Sequence, residues 1–582
     1  MWVYPASYYF LHLEPTFVQK IFIYVSCIAF AVGVIFLVKS LIPGSSSAVT
    51  VGATVFAILT ETVNGNLARF GQGNFSLGQY YGFAVALQMV VISFAFRGRI
   101  IKCAICLAAL LWMHPLIAAI TGFVAGVILF APSPDFKIAA RYVNAILLVC
   151  CSAGLYLFVM RESATDKNVL SFEEWINWVR FFNFHWFPFD LGVFSKENQR
   201  LVAPSFAILL LAFAGLTTKV SPEERQLKWL AAVIVCGLLI IIGLINSITP
   251  VSKILTMASF HRTSGILLLL ALPFACQFLY ESIRQVGLTA ILAVVVITAP
   301  LLGTYGFPLL PSTALFCLSK TSQISRQKNW EKAFKFLKFL ILNLAIANII
   351  WLLFKSGTAY LNSNLLGTPL SWILGGIFGF LIVASINRKK SKILCPKINY
   401  FILFVTLGIL CVLRAQDNWK RHPLVDDKRL ALDYLEAQIW ARNNTPPGSL
   451  FLTDPTICYG WKDYSARPSW GNYRDWLHSC IAYHSDSKLF KEGLRRAKKL
   501  GVDPEEYLKQ AKELGHISPN SIAYANLYSE IKNAFRTLED KKIQQLAAEE
   551  KINFMIYNKK DIQNSKIPVI YENKSFKIIK LQ

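Results

Sequence analysis

IFIYVSCIAFAVGVIFLV, residues 21–38, contains no charged side chain. As a helix rising about 1.5 Å per residue it is close in length to the ~30 Å hydrocarbon layer of a bilayer, and a helix satisfies its own backbone hydrogen bonds there. WLAAVIVCGLLIIIGLI, residues 229–245, repeats the pattern. Of the 582 residues, 54% are hydrophobic and 16% charged, against about 25% charged in ordinary globular chains. Holding such runs in a soluble core would require many helices with no polar face. The expected fold is therefore mostly α: a polytopic helical membrane protein.

Working outward, apolar runs recur at 47–60, 79–96, a pair within 103–130, 142–160, 203–216, 264–280, 286–302, 303–318, 339–354, 368–386 and 399–413, about fourteen spans in all. Pro115 in LWMHPLI favours two helices meeting at a break within 103–130. The formal net charge of +25 would suggest nucleic acid in a soluble protein. Here Lys and Arg cluster in the short loops 97–102, 219–228, 320–338 and 388–397, whereas 356–367 has none. Alternation of that kind follows the positive-inside rule and places the basic loops in the cytoplasm, near anionic lipid head groups. No nucleic-acid partner is expected. The same parity puts Met1 outside, which leads us to expect a further helix ahead of it.

After Arg414 the pattern changes. DDKRLALDYLEAQIWARNN reads as a helix with Leu430, Tyr434, Ile439 and Trp440 on its apolar side, and LFLT, 450–453, reads as a short strand. Residues 487–513 and 521–548 read as helices, and INFMIYN, IPVIYEN and FKIIKLQ as three more strands. The expected division is a multi-span domain over 1–414 and an extracytoplasmic α/β domain over 415–582. Most cysteines lie in or beside apolar runs, where a thiol is a small hydrophobe. Only Cys458 and Cys480 fall in the outer domain, where a disulfide between them is one of two open readings.

Polar residues at the outer ends of the helices need a reason. Glu61, Asn64, Asn66 and Arg69 follow a short span, a carboxylate beside a phosphate-binding cation or simply a wet loop. His114 precedes Pro115 and either satisfies backbone groups opened by the proline or meets a ligand. His261 and Arg262 begin a span at a depth that suits a phosphate. Within SFEEWINWVRFFNFHWFPFD, the aromatic-rich stretch 172–189 reads as an amphipathic helix lying on the membrane surface or lining an acceptor or lipid groove, and Asp190, which follows it, is placed to orient or activate a hydroxyl or is simply loop polarity. Asp454, Trp461, Tyr464, Arg467, Trp470 and Arg474 offer either faces and forks for a sugar or a seam for domain docking. There is no HExxH, Walker A or GxSxG signature.

The LWMHP segment after RGRIIK, the outer terminal domain, and YLEAQIWARNNTPPGSLFLTDP followed by YSARP together resemble bacterial C-type glycosyltransferase-like membrane proteins. The specific part of the resemblance is 433–468. It implies transfer of a sugar from a polyprenyl-phosphate donor to a glycan, lipid or protein acceptor at the outer face of the bacterial inner membrane. In that plan Glu61 or Glu14 serves as the catalytic carboxylate, unless the helix and loop that carry it are absent, and Arg69 or Arg262 binds the phosphate; the residue readings above add Asp190 as a second catalytic candidate and His114, His261 and Arg467 as further substrate contacts. No organic cofactor is implied; a divalent cation is compatible with the class, with no ligand set legible. The chain departs from the plan in lacking a paired acidic motif in a first outer loop, where Glu14 is the sole acid before the first counted span. A lipid or sugar transporter (flippase) and a noncatalytic subunit of an envelope glycan assembly complex are the competing readings.

Overall fold

The computed structural model describes residues 15–59, 81–131, 139–160, 170–182, 186–191, 196–216, 221–284, 292–293, 296, 309–324, 428–457, 461–482, 487–562 and 565–582. The expected spans 339–354, 368–386 and 399–413, most of 286–302, and the domain boundary at 414 lie outside the described residues.

The first part is an assembly of apolar helices: α1 (Pro15–Leu41), α2 (Ser47–Leu59), α3 (Tyr81–Phe96), α4 (Ile100–Met113), α5 (Pro115–Phe130), α6 (Ala139–Met160), α7 (Phe172–Phe182), α8 (Lys196–Leu216), α9 (Glu223–Ile248), α10 (Lys253–Ala258), α11 (Ser264–Arg284) and α12 (Leu309–Ile324). Four stretches are long and apolar enough to cross a membrane: Tyr24–Leu41, Ala139–Val159, Glu223–Ile248 and Lys253–Ile283. Shorter apolar helices stand beside them.

The break at His114–Pro115 is a hairpin. His114 precedes a proline and is held extended (φ −158°, ψ 97°), while its Nδ1 accepts from Ile117 N at 3.2 Å. Leu107 and Gly122 meet across the fold: a Cβ on Gly122 would lie 3.1 Å from the Leu107 side chain. A straight helix would hold those residues about 22 Å apart.

Short connections make successive helices antiparallel, so their ends sort into two layers. At one end, Arg97 Nε donates to Ser40 Oγ (2.7 Å), Arg225 to Ser40 O (2.6 Å) and Ser221 Oγ to Leu41 O (2.7 Å). Two of the basic loops thus meet where α1 ends. Arg225 and Lys228 belong to the first turns of α9 rather than to a loop, and Lys228 pairs with Glu224. The His114 turn and the end of α9 lie at the opposite end.

The C-terminal part contains α13 (Lys428–Asn444), β1 (Phe451–Leu452), α14 (Trp461–Ser465), α15 (Tyr473–Leu477), α16 (Ser479–Ala482), α17 (Lys488–Lys499), α18 (Pro504–Glu513), α19 (Ile522–Arg536), α20 (Asp540–Glu550), β2 (Phe554–Asn558), β3 (Val569–Glu572) and β4 (Phe576–Lys580). The sheet order is β1-β2-β4-β3, with β1 parallel to β2 and the other pairs antiparallel. Because side chains alternate across a strand, Phe451, Phe554, Ile556, Phe576 and Ile578 pack with Tyr434, Ala437 and Ala441 of α13. Leu452, Met555, Tyr557 and Ile579 face the other layer, α17 to α20. Asn573 in the β3–β4 turn accepts from Ser575 N and Phe576 N and donates to Asp433 O (2.6 Å), tying the hairpin to α13. Ile439, expected on the apolar side of this helix, is 46% exposed. It lies about 140° around the helix from Tyr434, and two small alanines fill the contact instead.

The second layer contains a helix from the other part of the chain. α7 starts with a capping box: Glu174 N donates to Ser171 Oγ, and Ser171 N to Glu174 Oε2 (3.0 Å). Its Trp175, Trp178, Val179 and Phe182 then form one stripe. That stripe does not face lipid, correcting the expected membrane-surface or groove-lining role. Trp175, Trp178, Phe181 and Phe182 are buried in one cluster with Trp476, Phe490, Leu527 and Ile531. Trp175 Nε1 donates to Cys480 O at 2.9 Å, Trp178 meets the Phe490 ring at 5.1 Å, and Phe182 lies against His478 and Tyr524. Desolvation there, aided by Arg474, pushes the His478 imidazole down to about 3, so it is neutral near pH 7. Cys458 lies outside the described residues, so the Cys458–Cys480 pairing is not placed.

Each buried Trp or Phe in this seam contributes about 1.5–3 kcal/mol by area. Trp178→Ala should therefore lower the stability of the C-terminal unit by about 3–5 kcal/mol, read as a fall in its thermal midpoint and faster limited proteolysis of the full chain.

Candidate functional site

The end of α9 gathers the polar groups. The Asn246 side chain, buried, donates to Thr256 Oγ1 (3.3 Å) and accepts from Val251 N (3.3 Å), closing the connection to α10. Ser252 caps α10, accepting from Leu255 N at 3.2 Å. Ser259 takes a left-handed conformation (φ 44°) and starts a 3-10 turn, Phe260–Thr263, that carries His261 and Arg262. The turn sits directly on Gly243, where an added Cβ would lie 2.1 Å from His261 N. Only glycine permits that approach, and it buries His261 to 1% exposure.

Arg262, half-buried in this turn, is the charged group whose field reaches His114. The hydrogen bond from Ile117 N requires an unprotonated His114 Nδ1, so a neutral ring carries its proton on Nε2. His114 thus does what the proline reading anticipated, and it does so within reach of a cation.

Four or five residues further along α9, about 6–8 Å along its axis, lies a second group. Arg180, from α7, donates to Ser247 O (3.1 Å) and Ile248 O (3.4 Å), carbonyls left open by the helix end. Its guanidinium stands 5.0 Å from the Phe187 ring centre and pairs with Asp190 at 3.6 Å. Asp190 sits on the 3-10 turn Pro188–Leu191. Burial, opposed by Arg180 and by His516 of the C-terminal part, pushes its carboxyl up from 3.8 to about 6. A carboxyl of that kind is ionised at pH 7 yet basic enough to accept a proton from a reacting hydroxyl.

Of the residues expected from sequence, His114, His261 and Arg262 form one group at this end of the helices, and Asp190 stands with Arg180 in a second group on the last turn of α9. Arg467 belongs to neither. Its Nε donates to Thr445 O (3.2 Å) and Oγ1 (3.0 Å), its other nitrogens to Arg442 O, Thr445 O and Ala466 O, so it clasps the end of α13 from the interior. In the structure its guanidinium serves the carbonyls at this helix end, an interior tie. Trp470 and Trp476 are likewise interior. Glu14, Glu61 and Arg69 lie outside the described residues. Arg180 and His516 were missed. Arg180 was visible as a lone cation in an aromatic helix, but nothing local marks His516, which approaches Asp190 across more than half the chain.

Among the described residues no group of three or more His, Cys, Asp or Glu side chains converges to hold a metal ion. A scan against protein-family models and a search of curated proteins both return no match.

Two outcomes follow from this geometry. Gly243→Ala should displace the His261 turn and cost about 1–3 kcal/mol, whereas Gly237→Ala, where a Cβ meets nothing within 4 Å, should leave the thermal midpoint unchanged. Because the folded-state pKa of Asp190 is raised, its contribution to stability is present below pH 3.8 and lost as pH rises through about 6. Asp190→Asn should flatten the fall in thermal midpoint across that interval.

Proposed function

We propose that the protein is a polytopic membrane glycosyltransferase of the C-type plan, moving a sugar from a polyprenyl-phosphate donor to a glycan, lipid or protein acceptor. In this reading about fourteen spans cross the bacterial inner membrane, the basic end faces the cytoplasm, and residues from about 415 onward lie outside. The observation that carries it is the gathering, at the end remote from the basic loops, of the partly buried Asp190 carboxyl, paired with Arg180 on the last turn of α9, and of the Phe260–Thr263 turn on Gly243, whose Arg262 acts on His114.

Asp190 accepts the proton of the acceptor hydroxyl as its oxygen bonds the sugar's anomeric carbon. The bond from that carbon to the donor phosphate breaks, and the phosphate leaves with its negative charge opposite Arg262, with His114 Nε2–H as a neutral donor. Glu61 and Arg69 remain the alternative carboxylate and cation in this scheme. The exposed apolar faces of α5 and α9 suit the donor's hydrocarbon tail: Phe123 is 57% exposed, and Leu238 and Ile241 54% each. Gly126 and Gly237, both beside open space, lie at matching depths of about 16 Å from the helix ends.

The Arg180–Asp190 ion pair favours a second reading, a noncatalytic assembly subunit in which Asp190 is a structural tie between α7 and the end of α9. The two separate in lipid-reconstituted protein given a panel of radiolabelled polyprenyl-phosphate sugars and membrane acceptors. The transferase reading expects Asp190→Asn and Arg262→Ala each to cut turnover at least about 100-fold, with activity in the wild type rising through pH 6 as Asp190 ionises. Turnover indifferent to both substitutions would refute the site.

A further inference from the structure

At the opposite end of the helices, Arg97 and Arg225 both bond to Ser40, one to its hydroxyl and one to its carbonyl. Two guanidinium groups are thereby drawn to the end of α1. Arg97 is braced further by the Phe36 ring, 4.1 Å from its guanidinium carbon. Arg99 projects from the same turn, and its side chain makes no hydrogen bond or ion pair among the described residues. No carboxylate comes within 4.0 Å of any of these three arginines among the described residues. Glu224 is within electrostatic reach of Arg225, but its carboxylate is bonded to Lys228. Burial first, and then the like charges of Arg225 and Arg99, lower the Arg97 pKa, so both of those guanidinium groups lie within electrostatic reach of Arg97.

A second feature points the same way. α4 begins at Ile100 with no side-chain cap, so its first-turn N–H groups open toward the arginine loop. Clustered guanidinium forks beside an uncapped helix start are the chemistry that binds a phosphate.

We propose that Arg97, Arg99 and Arg225, with the start of α4, form a binding site for the phosphate group of an anionic lipid. The inference rests on the membrane reading above and is independent of the transferase reading, since the site lies at the other end of the helices. A bound phosphate monoanion or diester offsets the mutual repulsion of the arginines and accepts hydrogen bonds from their outward-facing nitrogens.

The test uses the full-length chain purified in neutral detergent, with bound lipid followed by native mass spectrometry and by thermal midpoint. Phosphatidylglycerol should be retained and should raise the midpoint, and phosphatidylcholine should do neither. Arg99→Gln, which disturbs no bond within the chain, should weaken phosphatidylglycerol binding about fivefold, and Arg97→Gln with Arg225→Gln about 25-fold. Inorganic phosphate forms a separate arm: stabilisation by it alone, abolished by Arg99→Gln, would confirm the phosphate site and assign it to a free anion. Equal retention of phosphatidylglycerol by wild type and Arg99→Gln, or equal binding of both lipids by the wild type, would overturn the proposal. Neither result bears on sugar transfer.

Discussion

The aromatic stripe of α7 is the contact on which the arrangement of the described residues turns. Burying Trp175, Trp178, Phe181 and Phe182 in the core of the C-terminal part satisfies the large apolar surface of a helix that would otherwise have to lie in a bilayer interface. The indole N–H of Trp175 finds the Cys480 carbonyl, which removes the cost of burying a donor. Because Arg180 on the same helix grips the last carbonyls of α9, one short helix joins two units whose own cores are separate. The position of Asp190 follows, since its 3-10 turn continues from that helix and Arg180 holds its carboxylate.

A polarity runs through the helical part from one end to the other. Arginines gather where α1 stops, and the groups of mixed chemistry, a carboxyl, two histidines and two arginines, gather where α9 stops. Short connections between antiparallel helices produce this among the described residues: the turn at 97–99 and the start of α9 both return to the end of α1, where Arg97 and Arg225 meet at Ser40. The close approach at Gly243 serves the second layer by letting a 3-10 turn fold back onto α9, which brings His114 into the field of Arg262.

Much of the local structure was legible in advance, and for identifiable reasons. Runs such as 21–38 and 229–245 have no charged side chain to form another structure around, and the helices Pro15–Leu41 and Glu223–Ile248 include them. The four strand candidates of the C-terminal part appear within their expected segments, because short runs rich in Ile, Val, Phe and Tyr, too short for a buried helix, suit strands covered on both faces. The proline at 115 correctly divided α4 from α5. The capping box at Ser171–Glu174 was equally available as a mark of where α7 begins.

Other features could not be read in this way. The stripe of α7 looks the same whether it faces lipid or protein, because area burial is non-directional and carries no label for its partner. Arg467 looked like a ligand fork because its sequence neighbours are aromatic, whereas its partners are carbonyls at Arg442 and Thr445. The raised pKa of Asp190 comes from burial, set against the opposing charges of Arg180 and of His516, a residue far along the chain. The sequence by itself determined where helices and strands form and where charge collects, since both follow from short-range periodicity and composition. Only the tertiary structure decided which faces meet and which carboxyl is desolvated, because packing and electrostatics act through space between segments that have no local signal of one another.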